Sequence, residues 1–188
     1  MTRQCGDCQL CCKLLAVPPL GKKAGERCKH QKFGKGCTVY HRAGFPPECG
    51  WWSCRWLVNN DTADLSRPDR SHYVIDVMPD HVTLQNDNDG YRQTLQVVQI
   101  WCDPKHPDAH RDPALRDYLR RRGDEGIVAL VRYGVARETL LLIPPQMAPD
   151  GQWHELDSSV VNVQQEQQHS LIDTMQALGG EARVLIDP

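Results

Sequence analysis

The 188-residue chain has no run of 18 apolar residues, so it offers no segment long enough to cross a bilayer as a helix. Its opening, Met1-Thr2-Arg3-Gln4-Cys5-Gly6-Asp7, lacks the apolar stretch of a secretory signal peptide, and a cytoplasmic location is expected. Glycine-rich phosphate loops, a serine-centred nucleophile elbow and a HExxH helix are all missing, which leaves nucleotide-dependent and hydrolytic chemistry without support. There is no internal repeat. The length suits one domain, or a small module joined to a somewhat larger core. What the chain has in excess is cysteine.

Eight of the nine cysteines fall in the first 54 residues: Cys5, Cys8, Cys11, Cys12, Cys28, Cys37, Cys49 and Cys54. In a reducing cytosol, thiols at short spacings act as metal ligands or redox groups more often than as disulfides. All eight are therefore candidate metal ligands. The ninth, Cys102, follows Trp101 at the end of an apolar segment and is expected to be a buried small residue rather than a reactive thiol.

Charge is divided along the chain. From Met1 to Leu57 there are ten Lys or Arg against three Asp or Glu, while the remainder carries twelve against twenty-one. A basic face could attract nucleic acid or an acidic partner. Metal-bound cysteines are thiolates, however, and their negative charge offsets the basic excess. No RNA-stacking or DNA-reading motif accompanies the lysines, so nucleic acid is not an expected partner and a metal ion is.

The segment Cys5-Gly6-Asp7-Cys8-Gln9-Leu10-Cys11-Cys12 would place its four thiols on one side of a regular helix, within about 120°. Cys5 and Cys12 would then lie about 10 Å apart along the axis, whereas sulfurs sharing one zinc lie within about 4 Å of each other. One zinc cannot take all four from such a helix. The segment is partly a loop, feeds a multinuclear site, or contributes to two sites. The later pairs, Cys28-x8-Cys37 and Cys49-x4-Cys54, sit among turn formers at Gly34, Gly36, Gly44, Pro46 and Pro47, which suit a chain folded inward around an ion. The C-x2-C-x2-C opening matches part of a bacterial ferredoxin run but lacks its x3-Cys-Pro continuation, so the pattern specifies metal without specifying which. His30 and His41 could add nitrogen ligands but suit surface or packing roles better.

The run Cys-x2-Cys-x2-Cys-Cys, followed by Ala24-Gly25-Glu26-Arg27-Cys28-Lys29-His30, Gly34-Lys35-Gly36-Cys37-Thr38-Val39-Tyr40, Glu48-Cys49 and Cys54-Arg55-Trp56-Leu57, resembles the CxxCxxCC, or YkgJ-type, cysteine-cluster family of zinc- or iron-chelating proteins. Arg67-Pro68-Asp69-Arg70-Ser71 extends the likeness. The resemblance implies a small bacterial cytoplasmic protein with cysteine-bound metal and, for most members, no assigned activity. After Tyr40, the stretch His41 to Pro46 departs from the family's Tyr-x2-Arg-Pro-x2-Cys pattern.

Beyond the cysteines the chain reads as α+β: a loop-rich N-terminal metal module, residues 1–60, packed on a small antiparallel sheet with helices, residues 61–188, or both in one continuous domain. The natural boundary lies near Asn59 to Asp69. Tyr73–Met78, Val82–Gln85 and Tyr91–Trp101 read as a three-stranded meander. Asp112-Pro113 starts a helix running to Arg122, Glu125–Tyr133 reads as a second helix, and Arg137–Ile143 as a strand. Gln164–Leu178 reads as a helix stopped by Gly179-Gly180, and Arg183–Ile186 as a last strand. His106 and His110, with Asp103 and Asp108, could form a hard-metal or acid–base site, but the prolines favour a capped loop. Trp51, Trp52 and Trp56 are expected to pack the loop-rich module and dry its site.

Three functions fit these residues. The first is a metal-binding protein holding zinc or iron through clustered thiolates. The second is an iron–sulfur redox protein or enzyme, and the third a thiol-based redox-sensing or interaction module.

Overall fold

The computed structural model describes residues 3–76, 80–86, 92–133, 139–158, 171–173 and 182–186. The chain begins with short elements: α1 (Leu10–Leu14), the hairpin β1 (Gln31–Lys32) and β2 (Gly36–Cys37), then α2 (Pro47–Trp51), α3 (Arg55–Val58) and α4 (Pro68–Ser71). Longer ones follow: β3 (Tyr73–Ile75), β4 (Asp80–Asn86), β5 (Arg92–Cys102), α5 (Pro113–Gly123), β6 (Ile127–Tyr133), β7 (Thr139–Ile143), β8 (His154–Ser158), β9 (Leu171–Asp173) and β10 (Ala182–Ile186). The class is α+β, as expected.

Among the described residues β1 and β2 pair only with each other, and the other strands join in one sheet of order β8-β7-β6-β5-β4-β10-β9, with β3 also paired to β5. Its pairs are antiparallel except β5 and β6, which run parallel from Gln96 opposite Ile127 to Cys102 opposite Tyr133. A parallel pair needs a long crossover, and α5 lies within it. The α5 start was legible: Asp112 caps it, its side chain accepting from the Ala114 N–H at 3.1 Å, and Pro113 occupies the first turn. Leu115, Tyr118 and Leu119, spaced three and four apart, are fully buried against the sheet.

Three expectations are corrected. Glu125–Tyr133 is not a helix; Ile127–Tyr133 is strand β6, with Val128, Ala129, Leu130 and Val131 all buried. Both faces of that strand are covered, which erases the alternation that marks a half-buried strand. Second, β3, β4 and β5 do not form a meander. β4 pairs with β5 as expected, from Asp80 opposite Val97 to Gln85 opposite Arg92, but β3 also pairs with β5, from Tyr73 opposite Cys102 to Ile75 opposite Ile100. β3 and β4 thus lie end to end along one edge of β5, which at 11 residues is long enough to pair with both. Of the helix expected over Gln164–Leu178, Leu171–Asp173 is instead strand β9 paired with β10; the rest lies outside the described residues.

Alternation along the strands sorts the core into two layers. Val98, Ile100 and Cys102 of β5, Ala129 and Val131 of β6 and Leu140 and Leu142 of β7 pack against α5. Leu95 and Val97, Val128 and Leu130, and Leu141 and Ile143 form the opposite face, with Val82 and Leu156. On that opposite face, where β3 meets β5, Val74 and Trp101 receive the cysteine-rich segment: Cys8, Leu10, Leu14, Cys54 and Val74 make a third core cluster. A backbone bridge between Cys54 and Asp76 extends the sheet edge into that segment. No described helix is long and apolar enough to cross a membrane.

Candidate metal centre

The segment that could not serve one zinc as a regular helix is partly a turn. Cys5 and Cys8 precede α1 in a turn closed by the Cys8 N–H donating to the Cys5 carbonyl at 3.0 Å, and only Cys11 and Cys12 are helical. Leu10 and Leu14, one turn apart on α1, are buried and seat it on Val74. The turn is held from outside by Arg67, which reaches Asp7 at 2.8 Å and forks onto Asp69 with two bonds of 2.7 Å. Those carboxylates raise the Arg67 pKa further, the bond from Asp69 acting most.

The hairpin is pressed onto the same turn. Gly36 has φ +77°, and a Cβ there would stand 2.6 Å from the Gly6 carbonyl oxygen, so any other residue would be strained and would push the two backbones apart. Gln31 Nε2 donates to the Gln9 carbonyl at 3.2 Å, and Gln9 Nε2 returns a bond to the Lys32 carbonyl. Cys37 lies in β2, Cys28 just ahead of β1, Cys49 in α2, and Cys54 at the start of α3.

Cys5, Cys8, Cys11 and Cys54 line one small cavity of about 10 Å³. Trp56, Leu57, Pro68 and Val74 complete its wall. That is room for about one water-sized sphere. Cys8 and Cys54 are buried, and the other six cysteines of the segment are partly exposed. Among the described residues, no three His, Cys, Asp or Glu side chains already converge as a bound metal would hold them.

The thiols respond to burial and to one another. Burial, then the nearby Cys8, Cys12 and Cys54 thiols, pushes Cys5 up to about 12. Burial raises Cys8 and Cys54 too, opposed at each by a backbone N–H turned to the sulfur, from Leu10 at Cys8 and from Leu57 at Cys54. Burial also raises Cys37 and Cys49. The neighbours Cys11 and Cys12 share a hydrogen bond that raises Cys11, the donor, and lowers Cys12, the acceptor.

Lys22 was not singled out by its sequence context, because a lysine is ordinarily exposed. Here it is buried, and its ammonium caps the end of α1, donating to the carbonyls of Lys13 at 3.2 Å, Lys23 at 3.1 Å and Leu15. Burial lowers its pKa, while Cys28 and Cys12 act in the other direction and Lys22 in turn helps lower Cys12. It is a fixed positive charge beside those two thiols.

The tryptophans divide. Trp56 lines the cavity, donates Nε1–H to the Leu65 carbonyl at 3.0 Å, and carries the Arg3 guanidinium 4.9 Å above its ring. Trp52 donates to Asp76 at 3.0 Å. Trp51, expected to pack, is 80 % exposed instead. His41 takes φ 53° and packs against Tyr40, ring centroids 4.1 Å apart, in an aromatic group with Phe45.

The body histidines do not meet over a shared site. His106 stacks on His72 at 3.5 Å, whereas buried His110 bonds through Nδ1 to the Pro107 carbonyl and the Tyr133 hydroxyl. The capped loop is what forms: Asp103 accepts from the Lys105 N–H at 3.1 Å and pairs with Lys13 at 2.6 Å. Cys102 is fully buried in the core, its pKa pushed up by burial to about 12.

No family model matches the chain, and no curated protein or solved structure is significantly similar to it. The YkgJ-type likeness rests on the residues quoted above alone.

Proposed function

We propose that this protein binds zinc or iron through the clustered thiolates of its first 54 residues, as a metal-handling or metal-stabilised protein of a reducing compartment such as the cytoplasm, akin to the YkgJ-type cysteine-cluster proteins. The observation that carries the reading is the cavity of about 10 Å³ bounded by four cysteines and otherwise by side chains and ring edges of Trp56, Leu57, Pro68 and Val74. A water there finds few of the polar partners it needs. Thiolate donors, by contrast, suit a soft or borderline cation. Burial holds these thiols protonated, and a divalent ion would exchange for their protons and cancel the charge that burial disfavours. Backbone N–H groups already turned to Cys8, Cys37 and Cys54 would stabilise the thiolate form.

The test is elemental analysis for zinc, iron and acid-labile sulfide on protein purified without oxygen, with an absorbance spectrum of the same sample. Bound metal near stoichiometry is expected, together with release of metal and greater protease sensitivity before Val58 in Cys8→Ser and Cys37→Ser. A metal-free wild type, or full metal content in both variants, would overturn the reading. Iron with sulfide and a visible band would replace it with an iron–sulfur protein.

A further inference from the structure

We infer that Arg3 is a positioning residue of the candidate metal centre: its guanidinium staples the wall helix behind Cys54 to the stretch of chain that enters Cys5, so the four cavity thiols stand together before an ion arrives. The inference rests on the metal-binding reading above and adds how that site is held ready.

The four cysteines that line the cavity reach it from two stretches of chain. Cys5, Cys8 and Cys11 belong to the first and Cys54 to the second, with the β1–β2 hairpin and α2 between them. The wall is unevenly held. Pro68 and Val74 are buried, whereas Trp56 and Leu57, both on α3, are only partly buried. α3 is a single turn of four residues, too short to persist by its own hydrogen bonds, and its last carbonyls find no partner within the helix.

Arg3 and Thr62 supply those partners. Arg3 Nη1 donates to the Trp56 carbonyl and, at 2.8 Å, to the Thr62 hydroxyl, while Nη2 donates to the Thr62 carbonyl at 2.8 Å. Thr62 is fully buried and donates its hydroxyl to the Asn59 carbonyl at 2.8 Å. The same guanidinium lies 4.9 Å above the Trp56 ring, so one side chain grips both the backbone and the ring of a cavity-wall residue. Arg3 precedes Cys5 by two residues, and Trp56 follows Cys54 by two. The staple therefore lies where the two ligand stretches meet. The backbone bridge from Cys54 to Asp76 fixes Cys54 to the sheet, and Arg3 fixes the helix behind it to the Cys5 stretch. A site assembled in advance spares the ion the ordering cost of drawing Cys54 in.

The experiment uses the reduced full chain, stripped of metal and reloaded with cobalt(II) or with zinc. Cobalt(II) reports its sulfur ligands through their charge-transfer absorption, and zinc release to a chromogenic chelator gives a rate. Arg3→Gln should bind the same number of ions at saturation, with cobalt absorption lower by the share of one thiolate per chain, as in Cys54→Ser. Its zinc should leave about tenfold faster than from wild type, the loss expected for bonds from a charged donor. Arg3→Lys keeps the charge without the planar fork and should fall between the two. Adding Arg3→Gln to Cys54→Ser should change neither reading further, because Arg3 acts through Cys54. A wild-type spectrum in Arg3→Gln overturns the positioning role even where zinc leaves faster, as does a further loss in the double variant. Should Arg3→Gln fail to fold, Thr62→Val, which removes the hydroxyl between Arg3 and Asn59, is expected to show the same spectral loss, and a wild-type spectrum there overturns the inference. A wild type that takes up neither ion overturns the parent reading instead, which separates the two failures.

Discussion

Leu14 anchors the cysteine segment in the core. It is fully buried beside Cys8, Leu10, Cys54 and Val74, and it has no polar role. Leu14→Ala should cost about 2–5 kcal/mol, the range for an enclosed leucine whose cavity cannot collapse. Chemical denaturation of metal-free protein is the measurement, because bound metal would mask the loss. A change under about 1 kcal/mol would mean that the site relaxes to fill the void. Arg67 works at the same scale by charge, joining Asp7 and Asp69 so that the Cys5 to Cys8 turn and the start of α4 move as one. Its neighbour Pro68 is part of the cavity wall. The Arg67-Pro68-Asp69 sequence was visible in the chain, but its work as a clamp was not, because Asp7 lies sixty residues away in sequence.

At the scale of elements, the β1–β2 hairpin carries Cys37 to the candidate centre, and Gly36 is its point of contact with the turn before α1. Gly36→Ala forces a residue with a side chain into φ +77° and drives a Cβ toward the Gly6 carbonyl. The strain should be about 1–3 kcal/mol. No thiol is changed, so the expected result is zinc lost to a chelator faster than from wild type, with the same number of ions bound at saturation. Unchanged release would show that the hairpin does not need this contact. Sequence reading succeeded where elements announce their own ends or faces. Asp112-Pro113 marked α5, and the alternation of β5 marked a strand. It failed at β6, where Val128 to Val131 are buried on both faces and no period of two remains. It found a strand at Tyr73–Ile75 but not its pairing, since nothing local to those residues says that the partner is the far end of β5. The eight candidate ligands were legible as a set from spacing. That Cys5, Cys8, Cys11 and Cys54 border one cavity was not, because Cys54 reaches it from the start of α3, far along the chain.

For the whole molecule, ion pairs tie distant parts of the chain. Lys13 in the cysteine segment meets Asp103 after β5, and Glu155 of β8 receives Arg111 at 2.9 Å and Arg116 of α5. Burial pushes the Glu155 carboxyl up, but the bonds from Arg111 and Arg116 outweigh it and bring it down to about 2 from an ordinary 4.5. A carboxylate with a lowered pKa stabilises the fold above its ordinary value and loses that contribution as pH falls toward its folded value. Stability should therefore decline between about pH 4.5 and pH 2, and Glu155→Gln should flatten that part of the profile while leaving the rest parallel. Melting temperature against pH for both proteins is the check. Identical slopes would show that Glu155 does not contribute.

The cysteines that line the cavity and part of the wall that completes it come from different stretches of chain. All eight clustered thiols are made by residue 54, whereas Pro68 and Val74, and the strand β5 that pairs with β3, come afterwards. During synthesis, then, the sulfurs emerge before there is anything to enclose them. On the proposed metal-binding reading, an ion captured by the growing chain would be enclosed by residues added later, whereas one offered to the finished protein would have to pass that wall.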